Sequence, residues 1–153
     1  GMMSHNVLFV YADASVQPEA TGLGAVIRDE QGNLIGWHNQ AARAMTCNEA
    51  EYAALIFALE EALALAPKEV RVFSDSRLVV EQMRGWIRVH SDNLRPLHRR
   101  ARQLAGQFER ISFTHIPRER NQLADAIADD AIATRAPAES RLTPGRKNDK
   151  VTR

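Results

Sequence analysis

The chain has 153 residues, 44% of them hydrophobic, the make-up of one ordinary globular domain with a single core. Its 20 lysines and arginines and 19 acids leave a formal net charge of +1, so overall charge argues neither for nor against a polyanionic partner, and the distribution must decide. The lone cysteine, Cys47, excludes an internal disulfide, and no apolar run is long enough for a signal peptide or a membrane span. The expectation is a cytoplasmic protein with no membrane contact, and no feature implies a protein partner.

Gly1 ahead of Met2 reads as a cleavage scar, so the first few residues, His5 included, carry no functional weight. "VLFVYAD" (7–13) is continuously apolar and rich in strand formers, the pattern of a central strand covered on both faces. "GLGAVIRD" and "NLIGWHNQAARA" flank "DEQGN", where Gly32 and Asn33 permit a tight reversal, so the spacing predicts a hairpin and a three-stranded meander. "NEAEYAALIFALEEALALA" (48–66) predicts a long helix with Tyr52, Leu55, Ile56, Leu59 and Leu63 on one stripe, ending at Pro67.

A strand, "EVRVFSD" (69–75), follows, then two helical stretches, "SRLVVEQMRGW" and "NLRPLHRRARQLAGQF", divided near Gly85 and Ser91. "RISFTHIP" predicts a fifth strand that ends at Pro117, with His115 a partly buried strand residue, and "NQLADAIADDAIAT" a last helix. A domain over 6–135 is expected, followed by a basic, disordered tail over 136–153 with two prolines.

Alternating helix and strand after a meander predicts an α/β fold: a five-stranded mixed sheet of order 3-2-1-4-5, strand 2 antiparallel, flanked by helices. Strands 1, 3, 4 and 5 then run in one direction, and both the long and the last helix start at the carboxyl edge of the sheet. That topology gathers Asp13 and Asp75 at strand ends, Glu51 in the first turn of the long helix and Asp125 early in the last one. Four carboxylates at such an edge repel one another unless cations balance them, and oxygen-only ligands favour magnesium or manganese.

Each acid also has a structural reading. Asp75 suits a helix N-cap, Asp13 a turn, Glu51 the helix macrodipole, and Asp125 competes with Asp129 and Asp130 on a solvated face. The joint geometry favours a site. A second feature is the stretch from Arg84 to Arg102, where six arginines and two histidines face one acid, Asp92, with Trp86 among them. It is the clearest phosphate-binding segment, although Leu94, Leu97, Ala101 and Leu104 would equally make it an amphipathic helix with a solvated basic face.

The motifs "DAS" (13–15) with "GLGAVI", "TCNEAEY" (46–52), "SDS" with Asp75, and "RERNQLAD" ending on Asp125 resemble those of the ribonuclease H family, in its compact prokaryotic type 1 branch. The resemblance covers nearly all of residues 6–134 and selects Asp125 over Asp129. It implies the ribonuclease H-like fold, two Mg2+ (or Mn2+) held by Asp13, Glu51, Asp75 and Asp125, and endonucleolytic cleavage of the RNA strand of an RNA/DNA hybrid to 3′-hydroxyl and 5′-phosphate ends. It also implies Asp13 as the bridging ligand, Glu51 and Asp75 on the leaving-oxygen side and Asp125 on the nucleophile side.

Ser15, Thr46, Cys47 and Asn48 are then the candidates for reading 2′-hydroxyls, and Arg118 for assisting at the leaving phosphate. Three departures touch substrate grip: Ala14 where glycine is usual, a shorter loop after Ser15, and Cys47 where asparagine is usual. The basic helical handle of larger members and the histidine that some place before the last carboxylate are not evident. The rival readings are a non-catalytic nucleic-acid-binding module on the same fold, a structure-selective DNA nuclease, and a flavodoxin-like ligand-binding domain, for which no glycine-rich loop follows the first strand.

Overall fold

The structure is a computed structural model that describes residues 5–133, so the tail reading for 136–153 and the domain end at 135 lie outside the described residues. The elements follow the expected order: β1 (Val7–Val16), β2 (Thr21–Arg28), β3 (Leu34–Ala42), α1 (Cys47–Leu63), β4 (Glu69–Ser74), α2 (Arg77–Arg84), α3 (Arg95–Ala105), β5 (Arg110–His115), a 3-10 turn (Arg118–Arg120) and α4 (Gln122–Ala133). The sheet order is β3-β2-β1-β4-β5, with β2 antiparallel to both neighbours and β1, β4 and β5 parallel. Among the described residues no helix is long and apolar enough to cross a membrane.

Alternation along the strands sends Leu8, Val10 and Ala12 of β1, Leu23, Ala25 and Ile27 of β2 and Val70 and Val72 of β4 to one face, where they meet Tyr52, Leu55 and Leu59 of α1, Val79, Val80 and Met83 of α2 and Ala101 and Leu104 of α3. α1 is buried on more than the expected stripe, because Ala54, Phe57, Ala58 and Ala62 are covered as well, while Ile56 and Leu63 are half-buried. The helix also ends earlier than Pro67 alone would require. Ala64 is the C-cap and Ala66 takes a positive φ of 51°, consistent with the clash that keeps a residue before proline out of the right-handed helical region.

α4 lies on the opposite face, against β1, β2 and β3. The expectation that β1 is covered on both faces therefore holds only along part of its length. Phe9 and Tyr11 point to the α4 side and stay half-buried.

Candidate active site

Each of the four acids comes from a different element, and local structure removes most of the bland readings. Asp13 sits inside β1, paired with Gly24, rather than in a turn. Asp75 is not a cap: Ser76 is the N-cap of α2, its hydroxyl accepting from Val79 N, and the buried Ser74 hydroxyl accepts from Ser76 N. Glu51 is not in the first turn of α1, which corrects the expectation. Thr46 caps α1 in a capping box with Glu49, so Glu49 is the first-turn acid and Glu51 lies two residues further on, beside Asp13 and Asp75. Asp125 is in the first turn of α4, its amide bonded to Asn121 O.

Asp13, Glu51 and Asp75 each bring a carboxylate oxygen within 4.8 Å of the others. Asp125 completes the edge, since its side chain is hydrogen-bonded to that of Asp13. Burial, then the charges of Asp75 and Asp125, push the Asp13 carboxyl up to about 8. Burial and the charges of Asp13 and Asp75 push Glu51 up to about 9, against the opposing pull of the Arg118 guanidinium. One oxygen of Asp75, Oδ2, is buried without a hydrogen-bond partner among the described residues. An all-oxygen cluster in which the Asp13 and Glu51 carboxyls are held above their usual range, with an orphaned acceptor on Asp75, is a fit for a hard divalent cation.

Two features that position this edge lie in the quoted motifs, which by themselves assign them no structural role. Gly22 and Gly24 let the α4 backbone rest on β2: a Cβ on Gly24 would stand 2.5 Å from Ala124 O and 2.8 Å from Ala128 N, and one on Gly22 would collide with Ala128 O. Asn121, 2% exposed, donates its Nδ2 to Ala12 O at 3.0 Å, tying the start of α4 to the residue before Asp13. An asparagine directly ahead of a helix was the available signal, and its long-range partner was not.

The substrate-binding candidates divide. Thr46, Cys47 and Asn48 are exposed at the start of α1, one turn from Glu51, with the Thr46 hydroxyl engaged as the cap. Ser15 is buried at 5% exposure two residues beyond Asp13. Arg118 is exposed in the 3-10 turn and close enough to Glu51 to act on its charge. His115 is half-buried in β5, as expected.

The arginine-rich stretch is less free than its sequence implies. Arg84 donates to Phe113 O at 2.6 Å and stacks on Trp86, Arg102 donates to Met83 O, Arg95 bonds Asp92 and Val89 O, and Arg100 meets Glu60. The guanidinium groups of Arg88 and Arg99 have no hydrogen bond or ion pair among the described residues. Trp86 is 66% exposed.

A family model described as reverse transcriptase-like matches residues 11–131. The bifunctional protein Rv2228c of Mycobacterium tuberculosis is 40% identical over 116 residues, 75% of this chain and 32% of its own length. Ribonuclease HI of Halobacterium salinarum is 35% identical over 115 residues, 75% of this chain and 58% of its length. The chain thus spans about a third of the mycobacterial relative and little more than half of the halobacterial one. Among solved structures, RNase H1 from H. salinarum superposes with a TM-score of 0.81 at 32% identity, covering 84% of this chain and 98% of that one. LC11-RNase H1, solved in complex with an RNA/DNA hybrid, gives 0.78 at 33% identity over 83% and 97%. With the shared sheet order, a family model that spans the sheet and α4, and solved relatives covered almost end to end, the chain belongs to the ribonuclease H family.

Proposed function

We propose that residues 6–135 form a metal-dependent endoribonuclease domain that hydrolyses the RNA strand of RNA/DNA hybrids in the cytoplasm, leaving 3′-hydroxyl and 5′-phosphate ends. The observation that carries this reading is the Asp13–Glu51–Asp75 cluster, with Asp125 bonded to Asp13, at the carboxyl edge of a ribonuclease H fold. Asp13, Glu51, Asp75 and Asp125 would hold two Mg2+ or Mn2+ ions. Such ions would offset the clustered charge, help make a nucleophile from water and stabilise charge on the leaving oxygen. Asp13, buried and close to its neighbours, would be the ligand they share.

The remaining residues position the duplex. Arg118, beside Glu51, meets the phosphate on the leaving side. Thr46, Cys47 and Asn48 present hydroxyl, thiol, amide and backbone groups to the minor groove, where a 2′-hydroxyl separates RNA from DNA, and Ser15 supports that edge from within. Arg88 and Arg99, both exposed, supply backbone contacts that fix the register without taking part in chemistry. Labelled RNA/DNA, RNA/RNA and DNA/DNA duplexes incubated with magnesium or manganese test the reading. Cleavage confined to the RNA strand of the hybrid is expected; cleavage of DNA/DNA, or hybrid binding with no cleavage of any duplex, overturns it in favour of a DNA nuclease or a binding module.

A further inference from the structure

α4 covers β2, β3 and only part of β1, which leaves the rest of that sheet face open. On the open part, the parallel register of β1 and β4 sets Phe9 and Tyr11 beside Arg71 and Phe73. The rings form a continuous stripe: Phe9 and Phe73 lie 5.6 Å apart at 27°, Tyr11 and Phe73 4.9 Å apart at 20°, and all three are half-buried. The Arg71 guanidinium sits 5.4 Å over Phe9, and Arg28 is paired with Phe9 from the β2 side. Glu69 binds both Arg71 and Arg110, so one acid serves two arginines. The Arg120 guanidinium has no hydrogen bond or ion pair among the described residues.

Beside Tyr11 the stripe ends in a pocket of about 110 Å³ between Arg28, Arg120, Leu123 and Asn121. Asn121 is 2% exposed, its Nδ2 is committed to Ala12 O, and its Oδ1 is buried with no hydrogen-bond partner among the described residues. A buried orphan acceptor requires an N–H or O–H donor from water or from a ligand. None of these side chains belongs to the acidic edge.

We propose that this face is a second nucleic-acid site that takes a single strand. Splayed bases stack on Phe73 and its two ring neighbours, phosphates meet Arg71, Arg28 and Arg120, and the pocket beside Tyr11 takes the edge of the last base. Stacked aromatics flanked by arginines suit unpaired bases, which expose a ring face, whereas a duplex hides its ring faces and offers only backbone here. The chain's own residues 134–153 are the competing occupant, but they carry six bases and two acids, and like charge opposes their settling on an arginine-lined face. The inference is independent of the cleavage reading, because strand binding here uses none of the four carboxylates.

The test is fluorescence anisotropy of labelled 12-nucleotide DNA and RNA single strands with the full chain in EDTA. Arg71→Glu, at an exposed position, and Phe73→Leu, which keeps apolar bulk but removes the stacking ring, should each weaken binding about tenfold. Arg71→Glu should also lower the salt slope by about 0.7 for the lost phosphate contact, with the melting temperature and hybrid turnover unchanged. Absence of single-strand binding by the unaltered protein at low salt overturns the proposal. So does wild-type affinity in Arg71→Glu, or binding that is lost instead in Arg88→Ala/Arg99→Ala, which would put the strand on the hybrid-binding face.

Discussion

The acidic edge and the arginine-rich stretch are opposite in sign and opposite in how they are built. The four acids are scattered over 113 positions of sequence, from Asp13 to Asp125, and come together only through the fold; once there, their charges are left facing one another. The six arginines are crowded into one stretch, yet most of them spend their donors on neighbouring carbonyls and carboxylates, and two are left over. Local charge density therefore overstates the second region and understates the first. Uncompensated charge at a sheet edge marks a place where a ligand must complete the structure, whereas arginines that donate to Phe113 O and Met83 O are partly scaffold.

The largest expected effect separates the two regions by chemistry. Asp75→Asn should lower hybrid cleavage by about three orders of magnitude or more while leaving the domain folded, because it removes one ligand from a shared site. The same variant probes the repulsion. Asp13 and Glu51 are raised in the folded state above their ordinary values of 3.8 and 4.5, to about 8 and about 9. The folded protein then holds protons that the unfolded chain has released, so the contribution of these two groups to metal-free stability is full below about pH 4 and declines as pH rises through 8 to 9. Melting curves in EDTA should show that decline, Asp75→Asn should lessen it, and saturating magnesium should reverse much of it through linkage. A flat profile, or a fully active Asp75→Asn protein, breaks the contrast.

Next in size is Gly24→Ala, which tests whether the edge depends on the close approach of α4. The added Cβ meets backbone atoms of Ala124 and Ala128, so the domain should lose about 1–3 kcal/mol in chemical denaturation and bind manganese more weakly as Asp125 shifts. Unchanged stability would show that α4 can give way without consequence.

The arginines should split in two. Arg88→Ala and Arg99→Ala should each reduce the salt slope of hybrid binding by about 0.9 with little change in melting temperature. Arg102→Ala should instead cost about 1 kcal/mol of stability, since it abandons its bond to Met83 O. Equal salt slopes for all three variants would mean that internal bonding does not withdraw an arginine from the substrate. The smallest effect belongs to Cys47, exposed at the first residue of α1. Cys47→Asn should tighten hybrid binding by about 0.5–1.5 kcal/mol, measured in calcium, if the amide gains one net hydrogen bond; equal affinity would remove this position from substrate recognition.

Periodicity and punctuation by themselves determined the element order, the hairpin at Gly32, which takes a φ of 87°, the break after α2 at Gly85, with a φ of 80°, and the sheet edge at which the acids gather. These are local signals, carried by residues within a few positions of each other, and the rules of chain handedness convert them into a topology. What only the tertiary structure decided depends on partners far away in sequence. Glu51 lies beyond the first turn of α1 because Thr46 and Glu49 form the cap, and Asn121 holds β1 across 109 residues. Which arginines remain unengaged, and which part of β1 stays open, follow from where carbonyls, carboxylates and α4 come to rest. A strand's apolar pattern records that its side chains avoid water, but not which neighbour covers them, so the half-buried stripe of Phe9, Tyr11 and Phe73 is written only in the packing.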